Sequence, residues 1–385
     1  MSLKMSEKST GEILKIMRPK YARRGREARS RLLDEFCQLC GFERKYAIKL
    51  LGGKRRAQGA IHARSGSKAK YGEAERKVLK AIWLADEQPC GKRLKAAVPI
   101  WLPDYEREAG PLEDDLRAQI LRISAASMDR LLAPCRASAG GRGRCGTRPG
   151  TLLRSQIPIR TEHWDVAGPG WLEADTVAHC GESMAGDFCW TVTLTDVHTQ
   201  WTETRAVWNK GQHGVQQRIA EIEKALPFPI LGFDSDNGGE FINWHLADYF
   251  RDRKTAVAFT RSRAYHKNDN ARVEQKNWTH VRQLIGYGRL EKPAQVEQLN
   301  GLYVKEWNLF RNFYCPVMKH IKTIVEGSRK KRIYDAPATP FERLKACPQS
   351  APEQIERMEK LMATLRPFEL KRSIEKSLKR VLKTG

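Results

Sequence analysis

The chain has 385 residues and a formal net charge of +24, so it is strongly basic and long enough for two or three domains. It contains no run of eighteen apolar residues, and its N-terminus carries lysines without an apolar segment. We therefore expect neither a membrane span nor a secretory signal. Nine scattered cysteines argue against a disulfide framework and favour reduced thiols in a cytoplasmic protein.

The positive charge is concentrated towards the two ends of the chain. The net charge is +16 over residues 1–150, −1 over residues 151–290 and +9 over residues 291–385. Basic flanks neutralise phosphates and release counterions, so nucleic acid is the expected partner. A basic surface kept for solubility, or binding to RNA such as rRNA, is the alternative.

The first helical pattern follows a polar, basic segment, residues 1–28, which we expect to be a flexible arm. In residues 29–51, apolar side chains recur at helical spacing on either side of Gly41, which predicts two helices and a turn. Such a pair is typical of a helix-turn-helix unit, whose second helix would bring Arg44, Lys45 and Lys49 to the DNA. A plain helical hairpin is the alternative.

Cys37 and Cys40 form a lone CxxC within this segment. A structural zinc site would need two further ligands, for which His62 and Cys90 are the remote candidates. The simpler interpretation is that both cysteines are small apolar residues of a helix.

Helical periodicity resumes in residues 73–98, and a second helix-turn-helix candidate spans about 112–133, with Ser124 placed to cap its second helix. We interpret residues 1–133 as a helical DNA-binding region. Residues 134–167 begin with a stretch rich in Gly, Pro, Ser and Arg that lacks apolar periodicity, and we expect them to be a basic linker.

From residue 168 to residue 290 the pattern changes to alternating short strands and helices. Strands are predicted at 171–178, 188–196, 201–208, 229–234 and 255–260, and helices at 212–226, 241–251 and 269–286. This is an α/β order with a mixed five-stranded sheet, and it matches the ribonuclease H-like fold. The tail, residues 291–385, is expected to be basic and mainly helical.

Three carboxylates stand where such a core could hold divalent cations. Asp175 lies within the first strand, where a charge is costly unless it has a metal ion or a partner. Asp236 follows the fourth strand, at the carboxyl edge of the sheet where α/β sites lie. Glu274 lies one turn into the last helix of this core. Phosphodiester chemistry with two Mg²⁺ ions requires hard oxygen ligands, which these acids supply.

The orientation of these acids leaves some alternatives open. Glu173 shares a strand face with Asp175, and Asp234 shares one with Asp236, so either neighbour could be the ligand instead. Glu274 falls on one helical stripe with three apolar residues, which we expect to turn it towards the sheet. These residues are Trp278, Val281 and Ile285.

Other polar residues of this region have simpler interpretations. Glu240 is expected to be a carboxylate at a helix N-terminus rather than a ligand. His179, Cys180 and His266 could suggest a metal site, but hydrogen bonding or packing is the favoured interpretation. The sequence has no P-loop, so ATP is not implied.

Three segments together resemble the integrase core of bacterial insertion-sequence transposases, which carries an Asp-Asp-Glu triad. They are WLEADTVAHCG (171–181), GFDSDNGGEFIN (232–243) and KNDNARVEQKNW (267–278). The resemblance extends from about residue 150 to residue 344. It implies cleavage and strand transfer at transposon ends with Mg²⁺ or Mn²⁺, two ions per site, held by Asp175, Asp236 and Glu274. It also implies double-stranded DNA as end and target, on the bacterial nucleoid.

Contacts with DNA are less well defined than the triad. Asn277 follows Glu274 by three positions, as in integrases, and is expected to steady the site or touch DNA. The lysines that retroviral enzymes carry four and seven positions after that Glu are absent here. Lys267, Arg272 and Lys276 are substitutes by proximity only. Two ends must be handled together, so we expect a homo-oligomer, at least a dimer.

Two other functions are compatible with part of this pattern. A ribonuclease H-like nuclease would cleave without joining, but it would not need a long basic N-terminal region. A transposase-derived regulator would bind DNA without catalysis, but it would not need acids at all three positions.

Overall fold

The computed structural model describes residues 7–52, 70–136, 166–235, 238–241, 243–253, 256–261, 271–326 and 329–383. The chain divides into two compact units. One comprises Met1–Lys70 and Lys319–Ala336, and the other comprises Tyr71–Met318 and Pro337–Gly385. None of the helices in this described part of the chain is long and apolar enough to cross a bilayer.

The N-terminal residues fold into three helices, α1 (Glu7–Arg23), α2 (Arg26–Cys40) and α3 (Arg44–Gly52). Gly41 ends α2 with a φ of 67°, a left-handed conformation that glycine adopts without strain. The expectation of a flexible arm over residues 1–28 is wrong for the span of α1. Apolar residues at helical spacing anchor α1 to a small core formed with α2 and α3. They are Ile13, Leu14, Met17 and Tyr21.

Cys37 and Cys40 are both buried in this three-helix core. Burial raises the pKa of the Cys40 thiol, and the neighbouring Cys37 raises it further, so the protonated form is favoured. Zinc binds the thiolate. The interpretation of these cysteines as apolar core residues therefore fits their surroundings, and His62 lies outside the described residues.

Five helices follow: α4 (Glu73–Ala85), α5 (Gly91–Ala109), α6 (Asp114–Arg122), α7 (Ala125–Leu131) and α8 (Ala133–Arg136). Ser124 caps α7 as expected, because its side chain accepts a hydrogen bond from the Ser127 backbone at 3.2 Å. The Trp101 indole of α5 is fully buried and donates to the Tyr314 carbonyl at 2.9 Å. Helices α4–α8 thus belong to the large core, so the packing boundary lies near residue 70 rather than at residue 133.

The centre of the second unit is a five-stranded mixed sheet in the order β3-β2-β1-β4-β5. Strands β1 (Trp171–Ala178), β2 (Cys189–Asp196) and β3 (Thr202–Trp208) pair antiparallel, whereas β4 (Gly232–Ser235) and β5 (Ala258–Arg261) run parallel to β1. This topology confirms the predicted α/β, ribonuclease H-like fold. All five predicted strands are present, with ends displaced by a few residues.

Helices cover both faces of this sheet. One face is covered by α9 (Gln212–Ala225) and α10 (Trp244–Arg251). The other face is covered by α11 (Ala271–Lys276), a π-helical segment (Asn277–Arg282) continued by α12 (Gln283–Ile285), α13 (Pro293–Leu302), a second π-helical segment (Tyr303–Trp307) and α14 (Asn308–Tyr314). Val207 of β3 lies against Gly214 of α9. Thr204, which points to the opposite face, donates to Asn308 of α14 at 2.7 Å.

Asparagine side chains close the outer edge of β3. The Asn312 amide accepts from the Thr202 backbone N–H at 3.0 Å and donates to the Thr202 carbonyl at 2.9 Å. Asn300 binds both backbone groups of Ala206 in the same way, at 2.7 and 3.0 Å. Each amide therefore replaces a neighbouring strand, which leaves this buried edge satisfied.

The C-terminal part of the chain contains strands as well as helices. They are β6 (His320–Glu326), β7 (Arg329–Tyr334), α15 (Pro340–Ala346), α16 (Pro352–Ala363) and α17 (Pro367–Lys383). The strands β6 and β7 form an antiparallel hairpin that was not expected in a mainly helical tail. In the sequence the hairpin is indicated by the alternating, β-branched segment HIKTIVE, which is followed by Gly-Ser and a second short strand-like segment.

Candidate active site

Asp175 lies in the middle of β1, on the sheet face that α11 and the first π-helical segment cover. Its side chain is only partly buried. One carboxylate oxygen, Oδ1, accepts from the Thr176 backbone N–H at 2.7 Å. The other, Oδ2, accepts from the Asn277 Nδ2 at 2.6 Å. Asn277, which was expected either to steady the site or to touch DNA, thus fixes the orientation of Asp175.

Glu173, two residues earlier on the same face, anchors the helix that carries Glu274. It is fully buried, and its oxygens accept from the Val273 backbone at 3.0 Å and from Arg272 at 2.7 Å. Burial raises the pKa of Glu173 to about 7, although the Arg272 guanidinium opposes that shift. Glu173 is thus a buried anchor of α11. Arg272, expected near DNA, forms an ion pair with it.

Glu274 itself is exposed and lies between two residues that bind β1. Val273 precedes it and binds Glu173, whereas Asn277 follows it by three positions and binds Asp175. Because residues three apart lie on adjacent turns of one helix side, Glu274 and Asn277 share a side of the helix. The backbone that carries Glu274 is therefore fixed to the strand that carries Asp175.

The expected apolar stripe through Glu274 is only partly present. Val281 and Ile285 are buried, but Trp278 is 44% exposed and Glu274 faces solvent. The predicted apolar stripe through Glu274 and Trp278 is therefore wrong, since both side chains are exposed. The reason is the π-helical segment Asn277–Arg282, whose wider turns shift the helix face away from a 3.6-residue period. The buried stripe instead runs through Val273, Lys276, His280 and Leu284.

Lys276 lies on that buried stripe and is only 3% exposed. The expectation that it contacts DNA does not hold in this conformation. Burial places the pKa of its ammonium group well below the usual value, and the nearby cations Arg311 and Arg93 lower it further. Lys276 is therefore a buried residue of the helix that carries Glu274.

The fourth strand supplies the other side of the candidate site. Asp234 is buried, accepts from Thr260 at 2.6 Å and pairs in register with Glu173. A side chain at Gly232 would overlap the Trp171 ring at 2.0 Å, so glycine is required for this register. Three residues named from the sequence lie outside the described residues: Asp236, His266 and Lys267.

Glu240 was expected at a helix N-terminus but lies elsewhere. It is buried and accepts from the Thr176 hydroxyl at 2.9 Å and from the Lys210 ammonium at 3.3 Å. The N-terminus of α10 is capped by Asn243 instead. Glu240 therefore ties the segment after β4 to the residue that follows Asp175, a contact that the sequence did not indicate.

His179 and Cys180 are buried at the end of β1. The His179 Nε2 lies 2.8 Å from the Thr191 hydroxyl, and burial lowers the pKa of His179 to about 3. The favoured interpretation, hydrogen bonding and packing, fits this neutral imidazole. Within the described part of the chain no three His, Cys, Asp or Glu side chains converge on one point. Of the expected triad, only Asp175 and Glu274 are described.

In the N-terminal helices the expected DNA contacts separate into two kinds. Lys45 and Lys49 of α3 are exposed. Arg44 is largely buried, forms an ion pair with Asp34 and donates to the Ser30 hydroxyl at 2.7 Å. Arg44 therefore links α2 to α3, whereas the two lysines face solvent.

Several solved structures and one sequence relative are similar to this chain. The catalytic core domain of BIV integrase is 13% identical to this chain, with a TM-score of 0.25. The matched region covers 31% of this chain and 70% of the integrase domain. A simian T-cell lymphotropic virus intasome, solved with PP2A regulatory subunit B56 gamma, shares 12% identity, with a TM-score of 0.27. The matched region covers 47% of this chain and 58% of the intasome chain.

No protein-family profile matches this sequence. The uncharacterized protein y4rM of Sinorhizobium fredii is 36% identical over 345 residues, which is 89% of this chain and 97% of that protein. Such identity over nearly the whole length of both chains shows common descent and a common fold. The chain therefore belongs to the same family as y4rM.

Proposed function

We propose that this protein is a metal-dependent DNA strand transferase of the transposase and integrase class. It would cleave at the ends of a mobile DNA segment and join them to a target. The observation that carries this proposal is the 2.6 Å hydrogen bond between Asp175 and Asn277. It fixes a partly exposed carboxylate on the central strand to the helix that presents Glu274.

Chain connectivity supports Asp236 as the third acid. Ser235, the last residue of β4, is the register partner of Ala174 in the parallel β1–β4 pair. Asp236 is bonded directly to Ser235, and Asp175 is bonded directly to Ala174. The position of Asp236 in the sequence, one residue after the register partner of Ala174, is therefore the ground for proposing it as the third acid.

The buried acids favour this choice of ligands over their neighbours. Glu173 binds Arg272 and the Val273 backbone, and Asp234 binds the Thr260 hydroxyl. Both side chains are shielded from solvent, whereas a hydrated cation and a DNA phosphate would have to enter from the solvent side. Asp175 and Glu274 remain accessible, which suits the role of ligand.

The donor set suits hard divalent cations. Carboxylate oxygens are the ligands that Mg²⁺ and Mn²⁺ prefer in proteins. Two such ions held by Asp175, Asp236 and Glu274 would activate the attacking oxygen and neutralise charge at phosphorus. The chain itself contributes orientation: Asn277 directs Asp175, the Glu173–Arg272 pair fixes α11, and Glu240 holds the segment after β4 beside Thr176.

Duplex DNA and self-association belong to the same proposal. The basic flanks would bind end and target DNA through phosphates, with Lys45 and Lys49 on an exposed helix face. Joining two ends to one target requires two active sites, so we propose at least a dimer in the DNA complex.

The test compares Asp175→Asn, Asp236→Asn and Glu274→Gln with a matched control, Asp187→Asn, an exposed acid of the same domain. Each triad variant should lose strand transfer by about a thousandfold or more, because a lost ligand removes several kcal/mol of transition-state stabilisation. Binding of end DNA in EDTA should stay within about twofold of wild type for all four, since one surface charge changes little.

Strand transfer retained by any triad variant would refute the assignment of that residue. Hydrolysis of end DNA without any joining would favour a nuclease of the same fold. Binding without metal-dependent cleavage in the wild type would favour a regulator.

A further inference from the structure

The β6–β7 hairpin is a two-stranded ribbon. Its register pairs Thr323 with Arg332 and Ile324 with Lys331, and among the described residues no third strand pairs with it. An isolated two-stranded hairpin is at best marginally stable in water, because it has no second layer to cover its side chains. A ribbon of this kind gains stability when a partner covers it.

Large apolar side chains on this ribbon face solvent. Ile321 is 57% exposed, Val325 is 61% exposed and Tyr334 is 44% exposed. They alternate along the strands with exposed cations, among them Lys322, which lies next to Ile321. Side chains alternate between the two faces of a strand and paired residues share a face, so Val325 lies on the face of Arg332, whereas Lys322 and Lys331 lie on the opposite face. One face of the ribbon therefore combines an apolar group with a cation, and the other adds further positive charge.

The charge of the ribbon identifies the chemistry of that partner. Residues 319–335 contain six Lys or Arg residues and two acids, so a second copy of the ribbon would be repelled. Nucleic acid provides phosphates at both rims of a groove, with base edges and thymine methyl groups between them. The major groove is about 12 Å wide and accommodates a two-stranded ribbon.

We propose that the β6–β7 ribbon lies in the major groove of duplex DNA. The face that carries Val325 and Arg332 lies towards the bases, so Val325 contacts the base edges and Arg332 extends to a phosphate. The long side chains of Lys322 and Lys331 reach the phosphates of the groove rims from the opposite face. Six strand residues at about 3.3 Å each extend about 20 Å, or roughly six base pairs at 3.4 Å. This contact requires no catalytic acid, so it goes beyond the proposed chemistry and can succeed or fail independently of it.

The experiment measures binding of a random-sequence duplex to the full chain in EDTA by fluorescence anisotropy over a salt series. The ribbon variant is Lys322→Gln/Lys331→Gln/Arg332→Gln. The matched control is Lys224→Gln/Lys305→Gln/Lys360→Gln, which removes three exposed charges elsewhere. Each phosphate contact contributes close to one unit to the slope of log K against log salt, so the ribbon variant should lower that slope by about three. Its affinity should fall about tenfold or more, whereas the control stays near wild type.

A second duplex carries bulky groups on pyrimidine C5, which project into the major groove. It should weaken binding of the wild type and leave the ribbon variant unaffected. A wild-type slope in the ribbon variant, an equal loss in the control, or indifference of the wild type to the bulky groups would overturn the proposal. It would also be overturned if the ribbon variant changed the sedimenting species while DNA affinity stayed constant, because the ribbon would then bind another chain.

Discussion

Asparagine amides bind two strands of the same sheet, with different consequences. At the outer edge of β3, Asn312 is fully buried and supplies both hydrogen bonds that a missing neighbouring strand would have made. On β1, Asn277 donates to the carboxylate of Asp175, which is partly exposed. The first contact satisfies buried backbone, whereas the second orients a group that must meet a ligand. Loss of the first should therefore appear in stability, and loss of the second in activity.

The largest effect is expected for Asn312→Ala. It leaves the buried N–H and C=O of Thr202 unpaired, which should lower the free energy of unfolding by roughly 2–4 kcal/mol. Urea denaturation measures this loss, with Gln217→Ala, an exposed amide of α9, as control. If Asn312→Ala lowered the free energy of unfolding by no more than Gln217→Ala, the β3 edge would not depend on this amide.

The next largest effect is expected for Asn277→Ala, because Asn277 positions the Asp175 carboxylate. Strand transfer should fall by about 10–100-fold, with more Mg²⁺ needed for half-maximal rate, because residues that orient a ligand change metal affinity to this extent. A purely structural role would lower the stability and leave the metal requirement unchanged. That outcome would contradict the role that the Asp175 contact assigns to Asn277.

A smaller effect separates Val281 from Trp278, which the π-helical segment places in different surroundings. Val281→Ala removes buried methyl groups and should cost between roughly 1 and 3 kcal/mol. Trp278→Ala changes a half-exposed ring and should cost less than about 1 kcal/mol, although the side chain is far larger. Urea denaturation of both variants tests the order. The reverse order would indicate a regular α-helix with Trp278 in the core.

The smallest effect concerns pH. Burial raises the pKa of Asp86 to about 7, against the pull of Arg311 and Arg93. The folded state therefore holds more protons than the unfolded state between about pH 4 and 7, so this group lowers stability as the pH rises. Asp86→Asn should gain about 1–2 kcal/mol relative to wild type between pH 5 and 7. Urea denaturation of both proteins across that range measures their difference in stability. A difference that stays constant or shrinks as the pH rises would contradict the raised pKa of Asp86.

The sheet could be predicted from the sequence because its strands alternate between β-branched and polar residues and its helices keep an apolar period. Asp175 could be located as well, since an acid within a strand has a physical cost that requires an explanation. The resemblance to integrase cores then connected Asp175 with Asp236 and Glu274, which are distant in sequence.

Other features depend on contacts that no local pattern indicates. The π-helical segment changes which residues face the sheet, so Lys276 is buried and Trp278 is exposed. Arg272 and Arg44 were expected at DNA because they are basic and close to the right elements. Each instead pairs with an acid, Glu173 or Asp34, that only tertiary structure brings within reach. Charge alone does not distinguish a structural arginine from one that contacts phosphate.

Affinity cleavage by a bound metal ion tests whether Asp175, Asp236 and Glu274 share one site. Ferrous iron replaces Mg²⁺ at oxygen-ligand sites and, with ascorbate and peroxide, cuts the backbone beside its ligands. We expect fragments that end near residues 175, 236 and 274, suppressed by excess Mg²⁺ and lost in Asp175→Asn. An uncut chain, or cuts confined to other parts of the folded protein, would contradict the claim that Asp175 and Glu274 share a metal site.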